Sequence, residues 1–128
     1  MGVKSEISRV RVRVTFFNAS SRHVDIFWVD FNGKIVRYFH RAPPQSLKKI
    51  LTYVTHPWVA LDSDTGQKLC LSGEEVYVTK LPPRENVEED EETEDDMPTV
   101  NIRIHIPGKL VLQFRHSALQ LVHAGTCN

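Results

Sequence analysis

Cysteine is scarce: only Cys70 and Cys127 occur in 128 residues. Two cysteines build no disulfide framework, and without an export signal they read as reduced thiols of a cytoplasmic and nuclear protein. No apolar run approaches the roughly 20 residues that span a bilayer, so no membrane association is expected. The start of the chain, Met1 to Glu6, lacks the apolar core and cleavage site of a signal peptide. There is no Gly-rich phosphate loop, no nucleophile elbow and no His-Glu-x-x-His pair. The six histidines, at positions 23, 40, 56, 105, 116 and 123, are scattered without metal-ligand spacing. These absences leave no catalytic, cofactor or metal signature, and a non-catalytic chain without cofactor or metal is expected.

The formal net charge of zero conceals an asymmetry. The run Glu88–Asp96 holds 8 of the 16 acidic residues, so the rest of the chain carries 8 acids against 16 Lys and Arg, a formal charge of +8. A solvated acidic loop over 85–98 is the plain reading. The sharper one is a basic surface for an acidic partner, for which the loop competes. Nucleic acid is not the expected partner, because the bases stand singly, without interleaved aromatics, and an acid run lies alongside.

What is abundant is strand pattern. After a loose lead-in over 1–9, residues 10–107 read as one β domain. Val10 to Phe16 alternates valine with arginine, the period of a half-buried strand. His23 to Phe31 is β-branched and aromatic, and Asn32-Gly33 is the preferred two-residue hairpin turn before Ile35 to Phe39. Leu47 to Tyr53, Trp58 to Asp62, Lys68 to Leu71, Val76 to Thr79 and Val100 to Ile106 follow, separated by turn residues. About seven short strands of this kind predict an all-β antiparallel sandwich. In the final segment, 108–128, Leu110, Phe114 and Leu121 fall near helical spacing. A short C-terminal helix is expected there, with Val111 to Phe114 as a last strand the alternative.

Leu51-Thr52-Tyr53-Val54-Thr55-His56-Pro57-Trp58 concentrates the chemistry. It places a hydroxyl, a phenol, an imidazole and an indole within eight residues. If Thr52 and His56 face one space floored by Trp58, the result is a small aromatic-walled pocket with two polar groups inside. Taken individually, Trp28, Tyr38 and Trp58 also fit plain core packing.

Asn18-Ala19-Ser20-Ser21-Arg22, Trp28 to Gly33, Tyr38, Pro43-Pro44 and Tyr53 to Trp58 together resemble the von Hippel–Lindau β domain. The register is good over residues 10–80 and weaker to Val122. The resemblance implies a substrate receptor of a cullin-RING ubiquitin ligase that binds 4-hydroxyproline in a degron of hypoxia-inducible factor α. It implies that Trp28, Tyr38 and Trp58 wall the pyrrolidine ring, that His56 and Thr52 bond its hydroxyl, and that Tyr53 shapes the rim. Thr52 stands where the family usually has serine. Leu51 replaces a histidine that contacts the peptide backbone, which implies an altered grip on the flanking peptide. In the family a following helix docks on elongin C, and with it come elongin B and the cullin scaffold. Here Gln113-Phe114 stand at that helix's start, Ala118 replaces its cysteine and only Leu119, Gln120 and Val122 resemble the rest. A contact through Phe114, Ala118, Leu119 and Val122 is what the resemblance implies, with no counterpart of the companion helices expected. An adaptor or competitor that binds hydroxylated peptides without ligase coupling is the alternative.

Overall fold

The structure, a computed structural model, describes residues 2–82, 97–115, 118–124 and 127, and for 109–124 the backbone alone. The acid run falls outside the described residues. The fold is all-β, with ten strands among the described residues: β1 (Arg11–Asn18), β2 (Val24–Val29), β3 (Ile35–Ala42), β4 (Leu47–Tyr53), β5 (Pro57–Asp62), β6 (Lys68–Leu71), β7 (Tyr77–Val78), β8 (Thr99–His105), β9 (Lys109–Arg115) and β10 (Ala118–Ala124).

The alternation in β1 does what its pattern dictates. Val12, Val14 and Phe16 are fully buried while Arg11 and Arg13 face outward. Burying each such side chain is worth roughly 1.5–3 kcal/mol. With Val24 and Ile26 of β2, Trp58 and Ala60 of β5, Leu69 and Leu71 of β6, and Ile102 and Ile104 of β8, they form a single core.

The expected all-β fold is formed, and its strands run in one nearly closed, barrel-like sheet in the order β3-β2-β5-β6-β8-β1-β4, with β7 paired to β5, rather than in the two separate layers of a simple sandwich. The reason lies in β6. Lys68 and Leu69 pair with β5, whereas Cys70 and Leu71 pair with β8, so one short strand joins what would be two layers. Nor is the sheet wholly antiparallel, since β1 and β8 run parallel from Arg13↔Thr99 to Asn18↔Ile104.

The expected C-terminal helix is not formed. β9 and β10 make a separate antiparallel hairpin, with Phe114 opposite Leu119 and Val111 opposite Val122. Val111, Leu112, Leu121 and Val122 suit a pleated pair as well as a helix, and β-branched residues favour the strand. The cysteines are bonded rather than reduced: Cys70 and Cys127 are joined at a Cα–Cα distance of 5.6 Å. Chain context, which set the earlier expectation, says nothing of two residues the fold brings within bridging range.

Buried Asn18 ties three segments together. Its Nδ2 donates to the carbonyls of Arg22, Ala42 and Pro43 at 2.7, 3.0 and 3.1 Å. Its Oδ1 accepts from the backbone N–H and the hydroxyl of Ser20 at 3.1 and 2.6 Å. The end of β1, the entry to β2 and the exit of β3 therefore meet on one amide. That fixes where β3 ends and the connection to β4 begins.

Candidate functional site

A pocket of about 280 Å³ opens where the two ends of the sheet path approach each other. Tyr38 comes from β3, the last strand at one end, and Ile50, Leu51, Thr52 and Tyr53 come from β4, at the other. Trp28, Phe31, His56 and Trp58 complete the lining. The volume sits near the roughly 300 Å³ lower end of ligand sites and suits one small ring.

Strand register builds the aromatic walls. Trp28 of β2 is directly opposite Trp58 of β5, so both indoles project on one face. Trp58 is 1% exposed and packs on Phe16 at 5.4 Å below, with the Tyr38 ring at 5.3 Å edge-on beside it. It belongs to the core and floors the pocket at once. Its Nε1 finds no hydrogen-bond partner among the described residues. Tyr38 reaches the pocket through a bulge: Phe27 pairs with Arg37 but Ile26 with Phe39, leaving Tyr38 as the extra residue. Such a bulge re-aims a side chain.

The polar groups come from β4 and the turn after it. Thr52 is 3% exposed and faces inward in register with Val12. His56 closes a turn in which its N–H donates to the Tyr53 carbonyl at 3.2 Å. Thr55, just before it, has φ 79°. A β-branched residue in that left-handed region is strained by about 1–2 kcal/mol. Two bonds hold it there, from its N–H to the Thr79 carbonyl and from its hydroxyl to the Glu6 carbonyl, each at 2.9 Å. The His56 ring lies 5.5 Å from Trp28, 5.5 Å from Phe31 and 5.4 Å from Tyr53. Burial lowers its pKa below the usual 6.5, and a hydrogen bond to the Glu6 backbone opposes this in part. The imidazole is therefore neutral near pH 7, and a neutral imidazole carries one N–H donor and one bare nitrogen acceptor.

The six residues assigned by resemblance, Trp28, Tyr38, Thr52, Tyr53, His56 and Trp58, all line this one pocket. Phe31 and Ile50 were not anticipated. Phe31 enters because the β2–β3 turn is longer than two residues. Asp30 N–H donates to Lys34 O at 2.8 Å, and Asp30 Oδ1 caps Asn32 and Lys34, which puts Phe31 in the loop with Gly33 at φ 80°. The aspartate before Phe31 was the available signal, since Asp readily caps the backbone two residues on.

A second, open groove shares Ile50 and Leu51 with the pocket and is otherwise lined by Arg13, Thr15, Lys49 and Thr99. Elsewhere, Asp25, His40 and Ser63 meet without forming a nucleophile relay. Ser63 Oγ donates to Asp25 Oδ1 at 2.6 Å, and His40 Nδ1 lies 3.1 Å from the same oxygen, so the hydroxyl is engaged by the acid. Burial pushes the Asp25 pKa up, but bonds from Ser63, the Arg41 N–H and His40 together bring it below its usual value. Among the described residues there is no cluster of His, Cys, Asp and Glu fit for a metal ion.

Fold and pocket together define a class: an all-β protein carrying an aromatic-walled cleft at the seam of a nearly closed sheet. The family model described as VHL beta domain matches residues 3–85. That is well over half the chain, and the chain belongs to the von Hippel–Lindau family. It is similar to Protein Vhl of Drosophila melanogaster, with 25% identity over 122 residues that cover 94% of this chain and 65% of that protein. The chain thus spans just under two thirds of that relative's length.

Proposed function

We propose that the chain is a substrate-recognition module whose pocket reads 4-hydroxyproline in an extended peptide. The peptide is the degron of hypoxia-inducible factor α, and the assembly is a cullin-RING ubiquitin ligase. The observation carrying this reading is the convergence of Trp28, Tyr38, Thr52, Tyr53, His56 and Trp58 on one small pocket, in a chain of the von Hippel–Lindau family.

The chemistry follows from the groups in place. The aromatic walls take the apolar ring of a proline. A hydroxyl on that ring both donates and accepts. Its O–H donates to the bare nitrogen of neutral His56, and its oxygen accepts from the Thr52 hydroxyl. Unmodified proline leaves both groups without a partner, at about 1–3 kcal/mol each. A site built for a hydroxyl rejects its absence more strongly than an apolar slot rejects an addition. One oxygen atom therefore switches binding on. The peptide main chain adds along the open edge of β4, and Leu51 at that edge, 47% exposed, supplies apolar contact but no hydrogen bond to the backbone.

Immobilised hydroxylated and plain proline peptides test the reading. The wild-type chain is expected on the hydroxylated peptide only, and His56→Ala on neither. Retention of the wild type on both peptides alike rejects the pocket assignment.

A second reading, an adaptor or competitor that binds hydroxylated peptides without ligase coupling, is favoured by one observation. Residues 109–124 form the β9–β10 hairpin where the elongin C-docking helix was expected, so Phe114, Ala118, Leu119 and Val122 do not share a helical face. Binding of purified elongin C, with elongin B, separates the two readings.

A further inference from the structure

We propose that Ser5 and the Glu6 carbonyl, in the segment before β1, are positioning groups for the pocket: Ser5 fixes the plane of Trp28, and Glu6 fixes the turn that presents His56. The inference rests on the hydroxyproline reading for its binding consequence, but not for its structural one.

Residues 2–10 form no strand, and none of them lines the pocket. A loose lead-in would leave them solvated. Val3 and Ile7 are indeed 46% and 90% exposed, so apolar burial does not anchor the segment. Ser5 is nonetheless 3% exposed. Its hydroxyl donates to the Val29 carbonyl at 2.6 Å and accepts from the Trp28 indole N–H at 2.7 Å. Its backbone N–H donates to the Asp30 carbonyl at 3.0 Å. These three bonds grip Trp28 itself, the last residue of β2 and the first of the loop that carries Phe31 inward. The donor and one acceptor site of a single hydroxyl are used, an arrangement alanine cannot reproduce.

The next residue acts on the turn that carries the neighbouring His56. The Glu6 carbonyl accepts from the Thr55 hydroxyl at 2.9 Å. Thr55 is the residue in the left-handed conformation, and His56 follows it directly. Strained conformations of this kind persist only where the surroundings over-determine them. Releasing the Thr55 hydroxyl frees the turn and with it the direction of the imidazole. Two adjacent residues outside the pocket thus hold the indole that walls it and the imidazole that reads the hydroxyl.

The test uses the full chain with Ser5→Ala and, separately, Thr55→Val, which keeps the branched shape but removes the donor. Two quantities are measured: hydrogen exchange of the Trp28 indole N–H by ¹H–¹⁵N spectroscopy without ligand, and the affinity ratio for hydroxylated against plain proline peptide. Ser5→Ala is expected to speed indole exchange at least about tenfold and to cut the affinity ratio by at least about tenfold, with the thermal midpoint within a few degrees of wild type. Thr55→Val is expected to cut the ratio while leaving indole exchange unchanged. An unchanged indole exchange rate and an unchanged ratio in Ser5→Ala overturn the proposal. If the wild type itself fails to discriminate, the pocket reading fails, and the indole exchange still decides the role of Ser5.

Discussion

Trp58 shows how one side chain serves both fold and pocket, and the two uses separate by substitution. Trp58→Ala removes a fully buried ring packed on Phe16 and is expected to cost about 3–5 kcal/mol in urea unfolding. Trp58→Phe also deletes the orphaned indole N–H, whose burial costs about 1–3 kcal/mol, so its net effect is expected to stay below about 1.5 kcal/mol. His56 leaves a pH signature. Its folded pKa is lowered, so the unfolded chain binds the proton first as pH falls. Its contribution to stability is therefore intact above 6.5 and lost progressively below it. The thermal midpoint is expected to drop on going from about pH 7 to about pH 5, and His56→Gln to flatten that part of the curve. These residues were legible because aromatic and polar types crowd into 51–58 in an order that resembles a known family. Ser5 was not, because a serine in an unpatterned lead-in carries no signal until its partners, Val29 and Trp28, are placed beside it.

At the scale of elements, Asn18 is the point of greatest leverage. Asn18→Asp keeps the acceptor for Ser20 but cannot donate to the Arg22, Ala42 and Pro43 carbonyls. The Pro43 carbonyl keeps the Ser46 N–H and hydroxyl, so the main cost is a buried carboxylate set against carbonyl oxygens, and a loss above about 3 kcal/mol is expected in denaturant titration. Strands β1 to β8 were legible to within two residues except the end of β3, which runs three residues past Phe39 to Ala42, because alternation and β-branched runs state which face is buried. The bulge at Tyr38 was not, because an extra residue in one strand changes no periodicity that the strand shows by itself. In the β9–β10 hairpin, β9 was legible as the alternative strand at Val111 to Phe114, but a helix was preferred because the spacing of Leu110, Phe114 and Leu121 satisfies a helical period, while strand pairing depends on a partner strand that spacing does not reveal.

At the scale of the whole molecule, the parallel pairing of β1 with β8 and the change of partner within β6 set the sheet's path. Neither has a local sequence mark, which is why a sandwich was expected. The path leaves its seam between β3 and β4, and the pocket lies there. Two of the basic residues, Arg13 and Lys49, line a groove that shares Ile50 and Leu51 with the pocket. A peptide carrying acidic residues beside its hydroxyproline is expected to bind more weakly as salt rises, and Arg13→Gln with Lys49→Gln to flatten that dependence. Deleting residues 88–96 is expected to raise the affinity at low salt; no change removes the competing role of the acid run.

Calorimetric titration of the wild-type chain with two peptides that differ only in the proline 4-hydroxyl is the most direct measurement. The hydroxylated peptide is expected to bind at least about tenfold more tightly, a difference of about 1.4 kcal/mol or more, and His56→Ala to erase that difference with the fold intact. Equal affinity of the wild type for both peptides contradicts the account.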